Sequence, residues 1–320
     1  MSILLPIILL VIGFLLVIKG ADFLVDGASS LAKNLSIPEI VIGLTIVAFG
    51  TSAPELIVNI FASIKHENEI VFGNIIGSNI FNILLILGIA GLIYPITVQK
   101  NTVWREIPFS LFSILILFFL VNDDLFLHNN RYILSRFNGI ILLSLFSLFI
   151  LYVFIIPQVK SEDDFEIKNL SIFMTILFVF LGFAGLFFGG KLVVDNAVII
   201  AKFFKVSNKF IAITIVSAGT SLPELATSAV AAYKKRNDIA VGNVVGSCIF
   251  NTLLILGISS VINPILFLPE LNIDLTVLIF ASILLFITMF TGKRNKLDRW
   301  ESILLLTIYI IYMIYIIYRK

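Results

Sequence analysis

Residues 44–96 read LTIVAFGTSAPELIVNIFASIKHENEIVFGNIIGSNIFNILLILGIAGLIYPI, and residues 213–265 read ITIVSAGTSLPELATSAVAAYKKRNDIAVGNVVGSCIFNTLLILGISSVINPI. Laid side by side without a gap, Leu44 opposite Ile213 and Ile96 opposite Ile265, more than half of the positions are identical. Shared apolar composition would match leucines and isoleucines at random. It would not match polar blocks such as Gly50-Thr51-Ser52-Ala53-Pro54-Glu55 and Gly219-Thr220-Ser221-Leu222-Pro223-Glu224. The same register pairs Gly20 with Gly189, Asp26 with Asp195 and Lys33 with Lys202, so the duplication extends beyond the two stretches.

The duplicated blocks lie in an apolar chain. Of 320 residues, 59% are hydrophobic and 13% charged, with a mean hydropathy of +1.10. A soluble domain has about 45–50% apolar and about 25% charged residues, so the composition excludes a soluble globular protein and a disordered chain. The formal net charge of +2 gives no reason to expect a nucleic acid partner. Cys248 is the single cysteine, and His66 and His128 are the only histidines, which excludes an internal disulfide and a Cys/His zinc site. Apolar runs cut at polar stretches predict spans over 3–30, 37–64, 70–93, 104–121, 137–156, 170–200, 207–233, 239–262, 273–291 and 300–318. Backbone in lipid must satisfy its own hydrogen bonds, and the runs lack the alternation of barrel strands, so all ten should be helices. The first run has no basic segment before it and no small-residue cleavage site after it, and it reads as a span rather than a cleaved signal.

The hydrophilic stretch 158–169 (QVKSEDDFEIKN) divides the chain into 1–157, the linker, and 170–320. Each half holds five predicted spans. An odd number makes the second half start on the opposite face, inverted relative to the first. The expected fold is an all-α polytopic membrane protein of ten transmembrane helices in two inverted five-helix repeats, with a site at their interface near the midplane. Basic residues favour the loop face that holds Lys33, Lys100, Arg105, Lys160, Lys168, Lys234, Lys235, Arg236, Lys293, Arg294, Lys296 and Arg299. The rule that cytoplasmic loops are positive then puts both termini outside a cell membrane and the linker inside.

Pro54 and Pro223 remove a backbone donor inside an apolar span, and the glycine ahead of each loosens the same turn. They predict broken helices with freed carbonyls around Ala48–Thr51 and Ser217–Thr220. Thr51 and Glu55 are four apart and share a helical face, as do Thr220 and Glu224. A carboxylate at membrane depth is costly and marks function by default. One such residue could be a protonated structural group; two at matched positions, each behind a helix break, argue against that. The next span supplies Asn74, Ser78 and Asn82 at i, i+4, i+8, and its counterpart supplies Asn243, Ser247 and Asn251. Such stripes also serve packing alone; for Asn74 and Asn243 the two readings are balanced, while Asn82 and Asn251 should reach the glutamate level. Carboxylates, hydroxyls, amide oxygens and carbonyls form an all-oxygen set suited to hard cations such as Ca²⁺. Two carboxylates balance one divalent ion.

The paired Gly-Thr-Ser-x-Pro-Glu and Gly-Ser-x-x-x-Asn blocks resemble the two alpha-repeats of the calcium/cation antiporter superfamily, most closely its prokaryotic sodium/calcium exchanger-like members. The resemblance covers nearly the whole chain. It implies that helices 2, 3, 7 and 8 enclose the ions and that the long first and sixth helices slide across this core. It implies as ligands Thr51, Ser52, Glu55, Ser78 and Asn82 from one half, and Thr220, Ser221, Glu224 and Ser247 from the other. The carbonyls of Ala48 and Ser217 complete the set. Asn251 stands where some archaeal and potassium-dependent relatives carry Asp, a departure that argues against potassium co-transport. Na⁺ and Ca²⁺ are then substrates and no cofactor is implied.

Among function classes, exchange of Na⁺ for Ca²⁺ leads. A proton-coupled Ca²⁺ exchanger is its nearest rival, although the Gly-Asn-x-x-Glu block of such relatives is absent. A channel would show a ring of filter segments. An enzyme would need a nucleophile and base, and neither HExxH nor GxSxG occurs. No protein partner can be inferred; the lipid bilayer is the expected surrounding. Asp26 and Asp195 read as caps or water-facing residues, Lys234-Lys235-Arg236 as an orienting loop, and Glu162, Asp163, Asp164 and Glu166 as a solvated loop.

Overall fold

A computed structural model of the chain describes residues 4–122, 132–155, 170–204 and 217–319. The linker 158–169 and the start of the expected seventh span lie outside the described residues. Among the described residues the chain is nearly all helical: α1 (Leu4–Leu35), α2 (Glu39–Thr51), α3 (Ala53–Ile64), α4 (Asn68–Ile93), α5 (Thr102–Val121), α6 (Arg136–Ile155), α7 (Ile172–Phe203), α8 (Ser217–Thr220), α9 (Leu222–Tyr233), α10 (Asn237–Ile262), α11 (Pro269–Thr288) and α12 (Arg299–Tyr318). Eight of these are long and apolar enough to cross a membrane, and the bent pair α2–α3 makes nine. The expected span 207–233 is described only as α8 and α9.

The long helices α1 and α7 pack along their lengths through glycine. A Cβ built on Gly20 would lie 2.7 Å from the Leu186 nitrogen, and one on Gly182 would lie 2.7 Å from that of Leu24. Small residues let backbones approach this closely, which matters in lipid, where apolar burial alone does not drive helices together. Few polar bonds tie the pair. Ser30 meets Thr175 at 2.9 Å, and Asn34 donates to Thr175 and the Leu170 carbonyl. Asp26 does not cap α1, which runs on to Leu35. It accepts from Lys234 Nζ at 2.6 Å, and Asp22 lies 2.5 Å from the same ammonium. The ammonium offsets the charge of these two partly buried carboxylates in mid-helix. Asp195 is exposed, as expected.

The core lies where α4 and α10 cross the hinged helices. Gly43 of α2 rests on Gly242 of α10, its built Cβ 3.1 Å from the Gly242 Cα. The loops at each end are pinned by two-residue strands, β1 (Ile96–Thr97) pairing β4 (Lys296–Leu297) and β2 (Ile133–Leu134) pairing β3 (Ile265–Leu266), both antiparallel. Asn122 and Asn272 exchange amide hydrogen bonds of 2.9 Å between the end of α5 and α11. Beyond α12, Arg319 donates to Asp274 at 2.7 Å, and that carboxylate holds the guanidinium above its ordinary pKa.

Candidate functional site

The hinges are single serines. Ser52 (φ −81°, ψ 5°) separates α2 from α3 with a bend of 47°, and Ser221 (φ −91°, ψ 8°) separates α8 from α9. Both sit in the sparsely allowed bridge region common at functional positions. Pro54 and Pro223 fall in the first turn after each break, where proline is tolerated. The Ala48 carbonyl is not freed by the break. It accepts from the Ser52 N–H at 3.0 Å and the Thr51 hydroxyl at 3.3 Å. The physical reason is positional: the donor that Pro54 lacks would have reached four residues back, to the Gly50 carbonyl. Ser217, the counterpart of Ala48, opens the short α8.

The glutamates follow one turn after each hinge, and both are wholly buried. Their hydroxyl partners come from the other half of the chain. Ser52 Oγ donates to Glu224 Oε1 at 3.0 Å, and Ser221 Oγ donates to Glu55 Oε1 at 3.0 Å. Thr51 also reaches across, its hydroxyl meeting Asn243 Oδ1 of the other half at 2.9 Å. Ser78 on α4 meets Ser221 at 3.1 Å and donates to Glu55 at 3.4 Å. Among the described residues no lysine or arginine pairs with either one.

Asn82 and Asn251 lie on π-helical turns, Phe81–Ile86 and Phe250–Ile255. A π-turn carries an extra residue and often marks a functional position. A further π-turn, Gly43–Val47, precedes Ala48. Of the buried side-chain oxygens with no hydrogen-bond partner among the described residues, five belong to the expected site residues: Glu55 Oε2, Glu224 Oε2, Asn82 Oδ1, Ser247 Oγ and Asn251 Oδ1. Buried polar atoms are otherwise almost always paired, and a missing partner costs about 1–3 kcal/mol each. Three amide and hydroxyl oxygens, with the free oxygens of two carboxylates that have no basic partner among the described residues, make this the candidate site for a cation.

The structure thus brings together Ser52, Glu55, Ser78, Ser221 and Glu224 by direct hydrogen bonds, with Thr51 and Thr220 beside them. Asn82, Ser247 and Asn251 contribute unpartnered oxygens on α4 and α10. Asn243 is more than a spacer. It accepts from Thr51 at 2.9 Å and donates to Ser228 at 2.9 Å and to the Glu224 carbonyl at 3.3 Å, so it braces the hinge of one half on the other. Asn74 instead holds Asn59 at 2.6 Å within its own half. The two sides differ in exposure: Gly73, Asn74 and Gly77 are half-buried, whereas Gly242, Asn243 and Gly246 are buried.

A duplicated, hinged helical membrane chain with buried acidic oxygens between its halves is the build of an ion carrier. The sodium/calcium exchanger protein family profile matches residues 5–155 and 174–318, and the chain belongs to this family. It is a multi-pass membrane protein. Inner membrane protein YrbG of Escherichia coli is 38% identical over 266 residues, covering 80% of this chain and 79% of its own. Sodium/calcium exchanger MaX1 of Methanosarcina acetivorans is 32% identical over 339 residues, covering 95% and 96%. The solved structure of the sodium-calcium exchanger NCX_Mj, soaked with zero Na⁺ and Ca²⁺, superposes with a TM-score of 0.84 at 30% identity, covering 98% of this chain and 100% of that one.

Proposed function

We propose that this chain is a secondary antiporter that exchanges Na⁺ for Ca²⁺ at one site alternately open to either side of the cell membrane. The carrying observation is the pair of buried carboxylates without basic partners among the described residues, each with one unpartnered oxygen, accompanied by the unpartnered oxygens of Asn82, Ser247 and Asn251 from both halves. Hard cations take such all-oxygen sets, and Ca²⁺ accepts six to eight ligands in flexible arrangements. Ligands are Thr51, Ser52, Glu55, Ser78 and Asn82 with Thr220, Ser221, Glu224, Ser247 and Asn251. The carbonyl of Ser217 remains in the ligand set; that of Ala48 would have to exchange a hydrogen bond for an ion. One Ca²⁺ neutralises both glutamates, and Na⁺ competes for the same oxygens, so one ion leaves as the other binds.

The architecture in this reading is ten helices in two inverted repeats, residues 1–157 and 170–320, joined by the cytoplasmic linker 158–169, with both termini outside. The gapless internal duplication and the crossed contacts between halves support it. Half-burial of Gly73, Asn74 and Gly77, against burial of their counterparts, favours access from the face bearing the 65–67 turn, the face of the termini. The glycine seam between α1 and α7 suits sliding, because it offers backbone contact with few hydrogen bonds to break. No cofactor, nucleic acid or protein partner enters the scheme. The test is ⁴⁵Ca uptake into proteoliposomes loaded with Na⁺. An outward Na⁺ gradient should drive uptake and a pH gradient alone should not; the reverse would assign proton coupling.

A further inference from the structure

We infer that Asn79, one position off the ligand stripe, is a positioning residue that turns the oxygen of Asn251 rather than its nitrogen into the cation site. The inference rests on the proposed role of Asn251 as a ligand. Asn79 is wholly buried on α4, and its register in the duplication places it opposite Cys248 on α10. Its Nδ2 donates to the Thr252 hydroxyl at 2.9 Å and faces the Cys248 carbonyl at 3.5 Å. A carbonyl can only accept, so the amide nitrogen of Asn79 belongs on that side. Its Oδ1 is thereby left for Asn251, whose Nδ2 donates to it at 3.0 Å. An amide with its nitrogen fixed must present its oxygen the other way. Asn251 Oδ1 is buried and without a donor, as is Ser247 Oγ one turn earlier on the same helix.

The two halves differ at this point. The residue matching Asn79 is Cys248, a weak hydrogen-bonding partner. Both polar atoms of Asn82 are without hydrogen-bond partners among the described residues. An unpinned amide turns either end towards an ion, and the nitrogen end repels a cation. A carboxamide ligand is as good as its orientation, so Asn79 makes Asn251 a fixed oxygen ligand while Asn82 is free to turn.

The test is a double-mutant cycle in full-length protein, reading the apparent Ca²⁺ affinity for Na⁺-driven ⁴⁵Ca uptake. Asn79→Leu should weaken that affinity roughly tenfold, the worth of about one net hydrogen bond and its orientation. In an Asn251→Asp background the same substitution should shift it by less than about twofold, because a carboxylate presents oxygen whichever way it turns. Asn79→Cys, which copies the matched residue of the other half, should behave like Asn79→Leu and guards against a folding defect. An equal shift in both backgrounds would mean that Asn79 only packs, and would overturn the inference, as would wild-type affinity in both Asn79 variants. Asn251→Leu separates the two levels of argument. If it leaves affinity unchanged, Asn251 is not a ligand and both readings fall; if it weakens affinity while Asn79→Leu does not, only the positioning role falls.

Discussion

Replacing Glu224 or Glu55 by glutamine removes a charge, and the geometry shows which atom the ion would lose. Each carboxylate has one oxygen held by a serine of the opposite half at 3.0 Å and a second oxygen with no donor. The serine donates, so in Glu224→Gln it keeps the amide oxygen on its side. The amide nitrogen then replaces the free oxygen, and a ligand becomes a repelling donor. At an effective dielectric of about 20, unit charges ~4 Å apart attract by about 4 kcal/mol, and a divalent ion doubles that before dehydration is subtracted. Broken buried pairs cost about 3–5 kcal/mol net, so Ca²⁺ affinity should fall by roughly two to four decades, at 1.4 kcal/mol per decade. Ser52→Ala and Ser221→Ala remove one hydrogen bond to a charged group, about 1.5–3 kcal/mol, and should lie between wild type and the glutamine variants. The assay is Na⁺-driven ⁴⁵Ca uptake at rising Ca²⁺, with monodisperse purification as the folding control. Wild-type uptake by both glutamine variants would refute the assignment, and a greater loss in the serine variants would refute the assigned division of roles.

Four further outcomes follow from the proposed function. In a Cys248→Ser background, an impermeant thiol reagent applied to intact cells should label Asn129→Cys and spare Ser161→Cys; the reverse pattern would invert the topology. At clamped potential, exchanging K⁺ for choline should leave flux unchanged, since Asn82 and Asn251 are amides and Glu55 and Glu224 are the only carboxylates placed at the ions. The resemblance to sodium/calcium exchangers implies more Na⁺ per cycle than the two glutamates balance, so an imposed potential should alter flux, because moving one net charge across 100 mV is worth about 2.3 kcal/mol. Gly20→Val should stop turnover while sparing equilibrium Ca²⁺ protection against heat, because its side chain would meet the Leu186 nitrogen at 2.7 Å and the Gly182 carbonyl at 2.9 Å; loss of both would instead mean misfolding.

Much of this was readable from the residues. The duplication, the apolar runs and the Pro-Glu pairs lie along the chain, where spacing and repetition are visible. The helix breaks were legible because proline and glycine act locally, and the donor that Pro54 lacks falls opposite Gly50, inside the expected stretch Ala48–Thr51; the Ala48 carbonyl itself stays hydrogen-bonded. The π-turns at Asn82 and Asn251 left no trace, because one extra residue in a turn does not disturb an apolar pattern. The short strands that pin the loops are too brief to show alternation. Most of all, Thr51 and Glu55 share a face but not a partnership. The serine that serves Glu55 is 166 residues away, and helical spacing carries no information about contacts between halves. Asn79 escaped because it is off the stripe; its mismatch with Cys248 within an otherwise matched block was the available signal.

The crossed wiring has a mechanical consequence. Ser52 and Ser221 are at once the hinge residues and the donors to the opposite glutamates. A change of bend at either hinge therefore moves the hydroxyl that holds the other half's carboxylate, and a carboxylate drawn onto an ion pulls back on the hinge. Asn243 extends the linkage, since it bonds Thr51 ahead of one hinge and the Glu224 carbonyl beyond the other. A ligand shifts a conformational equilibrium only through unequal interaction with its states. In the proposed site the unequal interaction is built in, because the hydroxyls at the hinges and the oxygens proposed to bind the ion belong to the same side chains.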